Sequence, residues 1–162
     1  QLKKLMDGHN ESEVARVVSS PSQSVYDVII VAVKSDSHVA IGDIVWAEGN
    51  VALGTVIERT GSIARVELYS SIGKEVTVRL EKDGTELVLT GRGGGNFFVP
   101  APRALIISEN DIVFLPFFTT NILARVRAVE EGRIDSFKSV YLTYPVNVFS
   151  LSWVRISHAS TP

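Results

Sequence analysis

The chain has 162 residues, 45% of them hydrophobic, with a formal net charge of −2 and no cysteine. That apolar content suffices for one core or two small fused ones and excludes a disordered segment. Without cysteine there are no disulfides, thiolate metal sites or cysteine nucleophiles, and the charge lacks the basic excess of a general nucleic-acid binder.

Residues 1–13 stand apart from the rest. Leu2, Leu5 and Met6 recur at helical spacing and Gly8 suits a C-cap, so the segment reads as the last turns of a longer helix followed by a linker. A frayed terminus is the alternative reading. The chain opens on Gln1 rather than Met, so further sequence is expected upstream. No run approaches the roughly 18 apolar residues of a membrane span, and no secretory signal is visible.

From Val14 onward the pattern is β. Val, Ile and Thr are frequent, and turn residues recur about every ten positions. Strands are predicted over 14–18, 25–34, 43–48, 51–59, 62–69, 75–82, 85–90, 103–107, 111–115, 122–130, 137–144 and 151–157. Asp83-Gly84 is the strongest turn signal. It predicts a tight two-residue hairpin that puts Val76, Val78, Leu80, Leu87 and Leu89 on one buried face. The segment 91–102, rich in glycine and proline, reads as a loop. About a dozen short strands with no sustained helical period predict an all-β fold, a sandwich or barrels.

One phrase occurs twice. Asp43-Ile44-Val45-Trp46 is followed by Asn50-Val51-Ala52-Leu53-Gly54-Thr55-Val56, and Asp111-Ile112-Val113-Phe114 by Asn121-Ile122-Leu123-Ala124-Arg125-Val126. A β unit used twice and packed against itself predicts two small packed β-barrels. These make up a β domain over 14–162, with subdomains of about 14–95 and 96–157 between which strands can be exchanged. Gly42 and Asp43 are read as a structural turn, and Gly54 and Ala124 as matching strand bends, where a small residue lets a neighbouring backbone approach.

Two six-stranded barrels also describe the chymotrypsin layout, so a Ser-His-Asp triad has to be considered. His9 and His158 lie near the termini, His38 follows Ser35-Asp36-Ser37 in a polar turn, and no Gly-Asp-Ser-Gly-Gly stretch carries a nucleophile. Metal-ligand spacings are missing as well. Gly91-Arg92-Gly93-Gly94-Gly95-Asn96 suggests a phosphate cradle, but Phe97-Phe98-Val99-Pro100 follows where a helix start is needed, so a flexible loop is preferred. No catalytic residue, metal ligand or cofactor site is expected.

Adjacent residues on a strand face opposite ways, so the pairs Phe97-Phe98 and Phe117-Phe118 cannot both be buried in a one-sided core. Each pair is a candidate partner surface, or part of the contact between the two subdomains.

The order of these elements resembles the rod shape-determining MreC family over about Ala15 to Ile156. The match rests on Ala15-Arg16-Val17-Val18, Val39-Ala40-Ile41-Gly42-Asp43-Ile44-Val45, Gly54-Thr55-Val56 and Ala64-Arg65-Val66-Glu67-Leu68. The second half departs from the family pattern. Asn110-Asp111-Ile112-Val113 stands for Gly-Asp-x-Val, Thr119-Thr120-Asn121 lies near the usual turn, and Ala124-Arg125-Val126 stands for Gly-x-Val.

The resemblance implies two β-barrels in a chymotrypsin-like layout without a triad. It also implies a coiled coil ending in residues 1–7 and a single N-terminal membrane helix upstream, which put the domain on the outer face of the cytoplasmic membrane. By the same resemblance the role is a non-catalytic scaffold of the cell-elongation machinery that organises and activates peptidoglycan synthases. Its partners would be a class B penicillin-binding protein, RodA, MreD and MreB, with self-association and no nucleic acid. Two alternatives stay open: a periplasmic adaptor of an efflux or secretion system, and a degenerate trypsin-like protease.

Overall fold

A computed structural model describes residues 12–19, 27–117, 121–132 and 136–158. Of the helix end and linker expected over residues 1–13, residues 1–11 lie outside the described residues, as does Phe118, while Ser12 and Glu13 belong to the first strand rather than to a linker. Among the described residues there are twelve strands and no helix. They are β1 (Ser12–Ser19), β2 (Val28–Ala32), β3 (Ile44–Ala47), β4 (Val51–Thr60), β5 (Ile63–Leu68), β6 (Glu75–Leu80), β7 (Glu86–Gly93), β8 (Asn96–Pro102), β9 (Ile112–Phe114), β10 (Ala124–Glu131), β11 (Phe137–Thr143) and β12 (Trp153–Ser157).

All ladders are antiparallel, and they close two barrels of six strands each. The first runs β1-β12-β3-β4-β5-β2 and the second β10-β11-β8-β7-β6-β9. Alternation fills each interior. In β6, Val76, Val78 and Leu80 are buried while Glu75, Thr77 and Arg79 are exposed. Leu87 and Leu89 of β7 join them inside. Ile29, Val31, Val45, Val56, Val66 and Ile156 fill the first barrel, as expected for a barrel too narrow to hold anything but side chains.

Three expectations change. The division expected near residue 95 falls between Leu68 and Glu75, and β12 returns to the first barrel. The second barrel is therefore an insertion, β6–β11, within the first. Second, the stretch 96–102 is strand β8 rather than loop, while the strand expected over 103–107 is a turn and an irregular segment. Pro100 and Pro102 hid β8. Both lie beyond Thr90↔Phe98, the last β7–β8 pair, so their missing N–H groups cost no ladder bond on that side. Third, Asp83-Gly84 makes a longer turn than expected. The Leu80 amide bonds the Thr85 carbonyl at 2.8 Å, leaving four residues in the loop, and of the pair only Gly84 takes a positive φ (76°). Asp83 instead accepts from the Thr85 amide at 2.9 Å.

The repeated phrase is one structure made twice. Each copy starts with a turn whose third residue has a positive φ, Gly42 at 95° and Asn110 at 76°. Glycine and asparagine are the residues that tolerate this conformation best. The aspartate that follows caps its own turn: Asp43 accepts from the Ala40 amide at 2.9 Å, and Asp111 from the Ser108 amide at 2.8 Å. The backbones then bond alike, Val56 N to Asp43 O at 2.9 Å and Val126 N to Asp111 O at 2.8 Å.

Asp111 also meets the Lys82 ammonium at 2.8 Å. Burial pushes its carboxyl up, but the Lys82 hydrogen bond, the Ser108 amide and the Lys82 charge outweigh this and leave it below the ordinary carboxylate value. A carboxylate lowered in the folded state stabilises above its unfolded pKa, and that contribution is lost as pH falls through the folded value. The urea midpoint of Asp111→Asn should therefore lie below that of the parent at pH about 6 and converge with it at pH about 2. A gap that persists in acid would show that the charge is not the source.

Candidate functional site

The two copies of the phrase meet at the junction between the barrels. Val51 and Ile122 form a parallel bridge. The Ala52 amide bonds the Ile122 carbonyl at 2.9 Å, and the Ile122 amide bonds the Asn50 carbonyl at 3.0 Å. Ala52, Leu53, Leu123 and Ala124 are fully buried there. The Leu53 carbonyl accepts from both the Tyr144 hydroxyl at 2.5 Å and the Tyr69 amide at 3.0 Å. Burial pushes the Tyr144 hydroxyl well above its ordinary value and that of Tyr69 up to about 12, so both stay protonated and Tyr144 remains a donor.

Asp27 is the second tie. It is 4% exposed and immediately precedes β2 of the first barrel. Its carboxylate accepts from the Ser70 hydroxyl and from the amides of Gly94 and Gly95, at 3.0 and 3.1 Å, in the β7–β8 turn of the second barrel. Its own amide and carbonyl are also bonded, to Ser71 Oγ at 3.0 Å and from Leu68 N at 2.8 Å. Successive amides presented by left-handed glycines form an anion-binding nest. Gly93, Gly94 and Gly95 have φ of 85°, 65° and 82°. The glycine stretch, expected to be a flexible loop, is thus a latched turn whose anion is internal. Sequence reasoning passed over Asp27, although a lone acid abutting the apolar run Val28-Ile29-Ile30-Val31 was a usable signal.

The remaining site residues fall in different places. Gly54 pairs with Val45 and Leu68 across two ladders, and a Cβ there would lie 2.1 Å from the Glu67 carbonyl oxygen. Ala124 pairs with Val113, the matching place in the second copy. Phe97 is buried edge-on against Tyr144, ring centroids 5.1 Å apart, near the junction. Phe98 faces the other way and lies half-buried over Tyr141 at 5.5 Å. Phe117 is 86% exposed after β9.

His38 and His158 line a shallow hollow of about 600 Å³ with Ser37, Asp43 and Glu13. His158 Nδ1 lies 3.3 Å from the Asp43 carboxylate. The Ser37 hydroxyl donates to Glu13 at 2.5 Å rather than to a histidine, so the nucleophile-to-base bond of a triad is not made there. His9 lies outside the described residues. Among the described residues no group of three or more acidic or imidazole side chains could hold a metal, and no helix is long and apolar enough to cross a membrane.

The chain is thus a double-barrel β protein with filled interiors and a hydrogen-bonded junction, and its open features lie on the outer surface. Among solved structures this is the fold of MreC. The crystal structure of MreC from Pseudomonas aeruginosa superposes with a TM-score of 0.81 at 16% identity, covering 91% of this chain and 99% of that one. A second MreC structure gives 0.83 at 16% identity, covering 96% and 94%. The complex of the penicillin-binding protein PBP2 with MreC from Helicobacter pylori contains a chain matching at 0.58 and 12% identity, over 92% of this chain and 99% of that one. No protein-family model and no curated protein matches the sequence. The twin-barrel fold expected from the turn and strand motifs is therefore the fold observed.

Proposed function

We propose that this chain is the β domain of an MreC-type scaffold, a non-catalytic protein that organises cell-wall synthesis during elongation by binding a class B penicillin-binding protein. The observation that carries this reading is the fold, two closed barrels that superpose along nearly the whole length of MreC domains. A relative of that fold has been solved in complex with PBP2. Filled barrels leave the outer surface to do the work. Closed barrels have few free edges, so we place recognition on side chains of the barrel wall rather than on strand addition.

In this reading the domain sits on the outer face of the cytoplasmic membrane, tethered through a helix and coiled coil that precede it. It self-associates there, with RodA, MreD and MreB as further partners. Preferential binding to one conformation of the synthase would shift that enzyme toward activity.

The test is a titration of the purified domain with the extracytoplasmic domain of a class B penicillin-binding protein from the same organism, followed by calorimetry. Saturable binding at micromolar concentration is expected for an interface of standard size. No heat and no co-elution at high micromolar concentration would overturn the assignment.

A further inference from the structure

The outer wall of the second barrel carries a groove that none of the ties above uses. It has a volume of about 470 Å³, and its lining includes Arg92, Arg127, Tyr141, Asn96 and Glu130. Both arginines sit at β-bulges. Gly91 pairs with Phe97 and Gly93 with Asn96, which leaves Arg92 as the extra residue of β7. Val126 pairs with Leu142 and Ala128 with Tyr141, which leaves Arg127 as the extra residue of β10. A bulge breaks strict alternation and re-aims the additional side chain. Here two bulges, on the strands flanking the β8–β11 pair, place guanidinium groups around Tyr141, whose ring also lines the groove.

Arg92 lies over the Tyr141 ring, Cζ 5.2 Å from the centroid. Among the described residues neither arginine has a carboxylate within ion-pair distance. Both are exposed. Glu130 lines the same groove and leaves it one net positive charge.

We propose that this groove takes an acidic segment of the partner synthase, with a carboxylate in the guanidinium fork and an apolar side chain against the Tyr141 ring. The inference rests on the proposed function. Its support is charge complementarity in an otherwise acidic protein of net charge −2. Guanidinium groups take planar carboxylates in two-pronged hydrogen bonds, and an arginine already stacked on an aromatic ring is held in place for this. Glu130 restricts the segment to one acid at the fork, since a second would meet it as a like charge. Its lining spans four neighbouring strands, β7, β8, β11 and β10, which suits an extended peptide.

The experiment titrates the synthase extracytoplasmic domain into the parent protein and into the double variant Arg92→Gln/Arg127→Gln, at low and at physiological salt. The expected result is that parent binding weakens with salt. The variant should bind about tenfold more weakly, with its salt dependence flattened and its melting temperature unchanged. Equal affinity and equal salt dependence in parent and variant would overturn the groove while leaving the scaffold reading intact. Absence of binding by the parent would overturn both. Vesicles of phosphatidylglycerol form the second arm: capture lost in the variant, with synthase binding unaffected, would assign the groove to a lipid headgroup and overturn the peptide.

Discussion

Replacing Asp27 with alanine is expected to split the thermal unfolding of this protein into two transitions. The carboxylate gathers the Ser70 hydroxyl and the amides of Gly94 and Gly95, so one side chain at the start of β2 holds the β7–β8 turn of the other barrel. Ser70 is 0% exposed and Gly95 is buried as well. Truncation strands these two donors away from water, at roughly 1–3 kcal/mol each. A total near 3 kcal/mol corresponds to a fall of about 6–12 °C in melting temperature for a chain of this size. Because the lost bonds join the barrels rather than stabilise either interior, cooperativity should suffer along with stability, and calorimetry would resolve the two units. Asp27→Asn keeps the shape but turns one acceptor into a donor facing donors, so it should cost nearly as much. A single transition within about 1 °C of the parent would refute the latch.

Gly54→Ala should cost at least about 3 kcal/mol, near the upper end for overpacking. The added Cβ would stand 2.1 Å from the Glu67 carbonyl oxygen and 2.8 Å from Leu68 Cα, and both are backbone atoms that cannot swing aside. Relief requires β4 and β5 to part, in a strand pair that helps close the first barrel. Gly84→Ala is the matched control. Nothing lies within 4 Å of its Cβ position, and only the positive φ of 76° penalises it, at about 1 kcal/mol. Chemical denaturation of the two variants should separate these costs, and equal midpoints would remove the close approach as the reason for glycine. The matching place in the second copy holds Ala124, which already carries a Cβ, so the approach made at Gly54 is not repeated at that place.

How much of this was legible in the sequence follows from the range of each interaction. The alternation of Val76, Val78, Leu80, Leu87 and Leu89 was readable because burial on one face of a strand is written locally. The repeated phrase was readable because the turn, its aspartate cap and the strand after it are all local. Strand β8 was hidden because prolines normally break ladders, and whether a ladder exists on their side is known only once β7 has diverged. Asp27 and the glycine nest are 67 and 68 positions apart, and no local pattern couples them. Arg92 and Arg127 looked like ordinary exposed charges, since a bulge is a mismatch between two strands and invisible in either one. Exchange of strands between the subdomains was expected, but that β12 is the strand concerned was not legible, for the same reason. Its pairing partners, β1 and β3, lie at the far end of the chain.

That last strand sets an order of events. Residues 75–143 contain every strand of the second barrel, so it can form as soon as they have been synthesised. The first barrel stays an open sheet, with β1 and β3 lacking their shared neighbour, until Trp153–Ser157 arrives. A nascent chain therefore completes its middle before its beginning. Premature termination between Thr143 and Trp153 would leave one finished module attached to an unclosed one, with adhesive borders open to other chains.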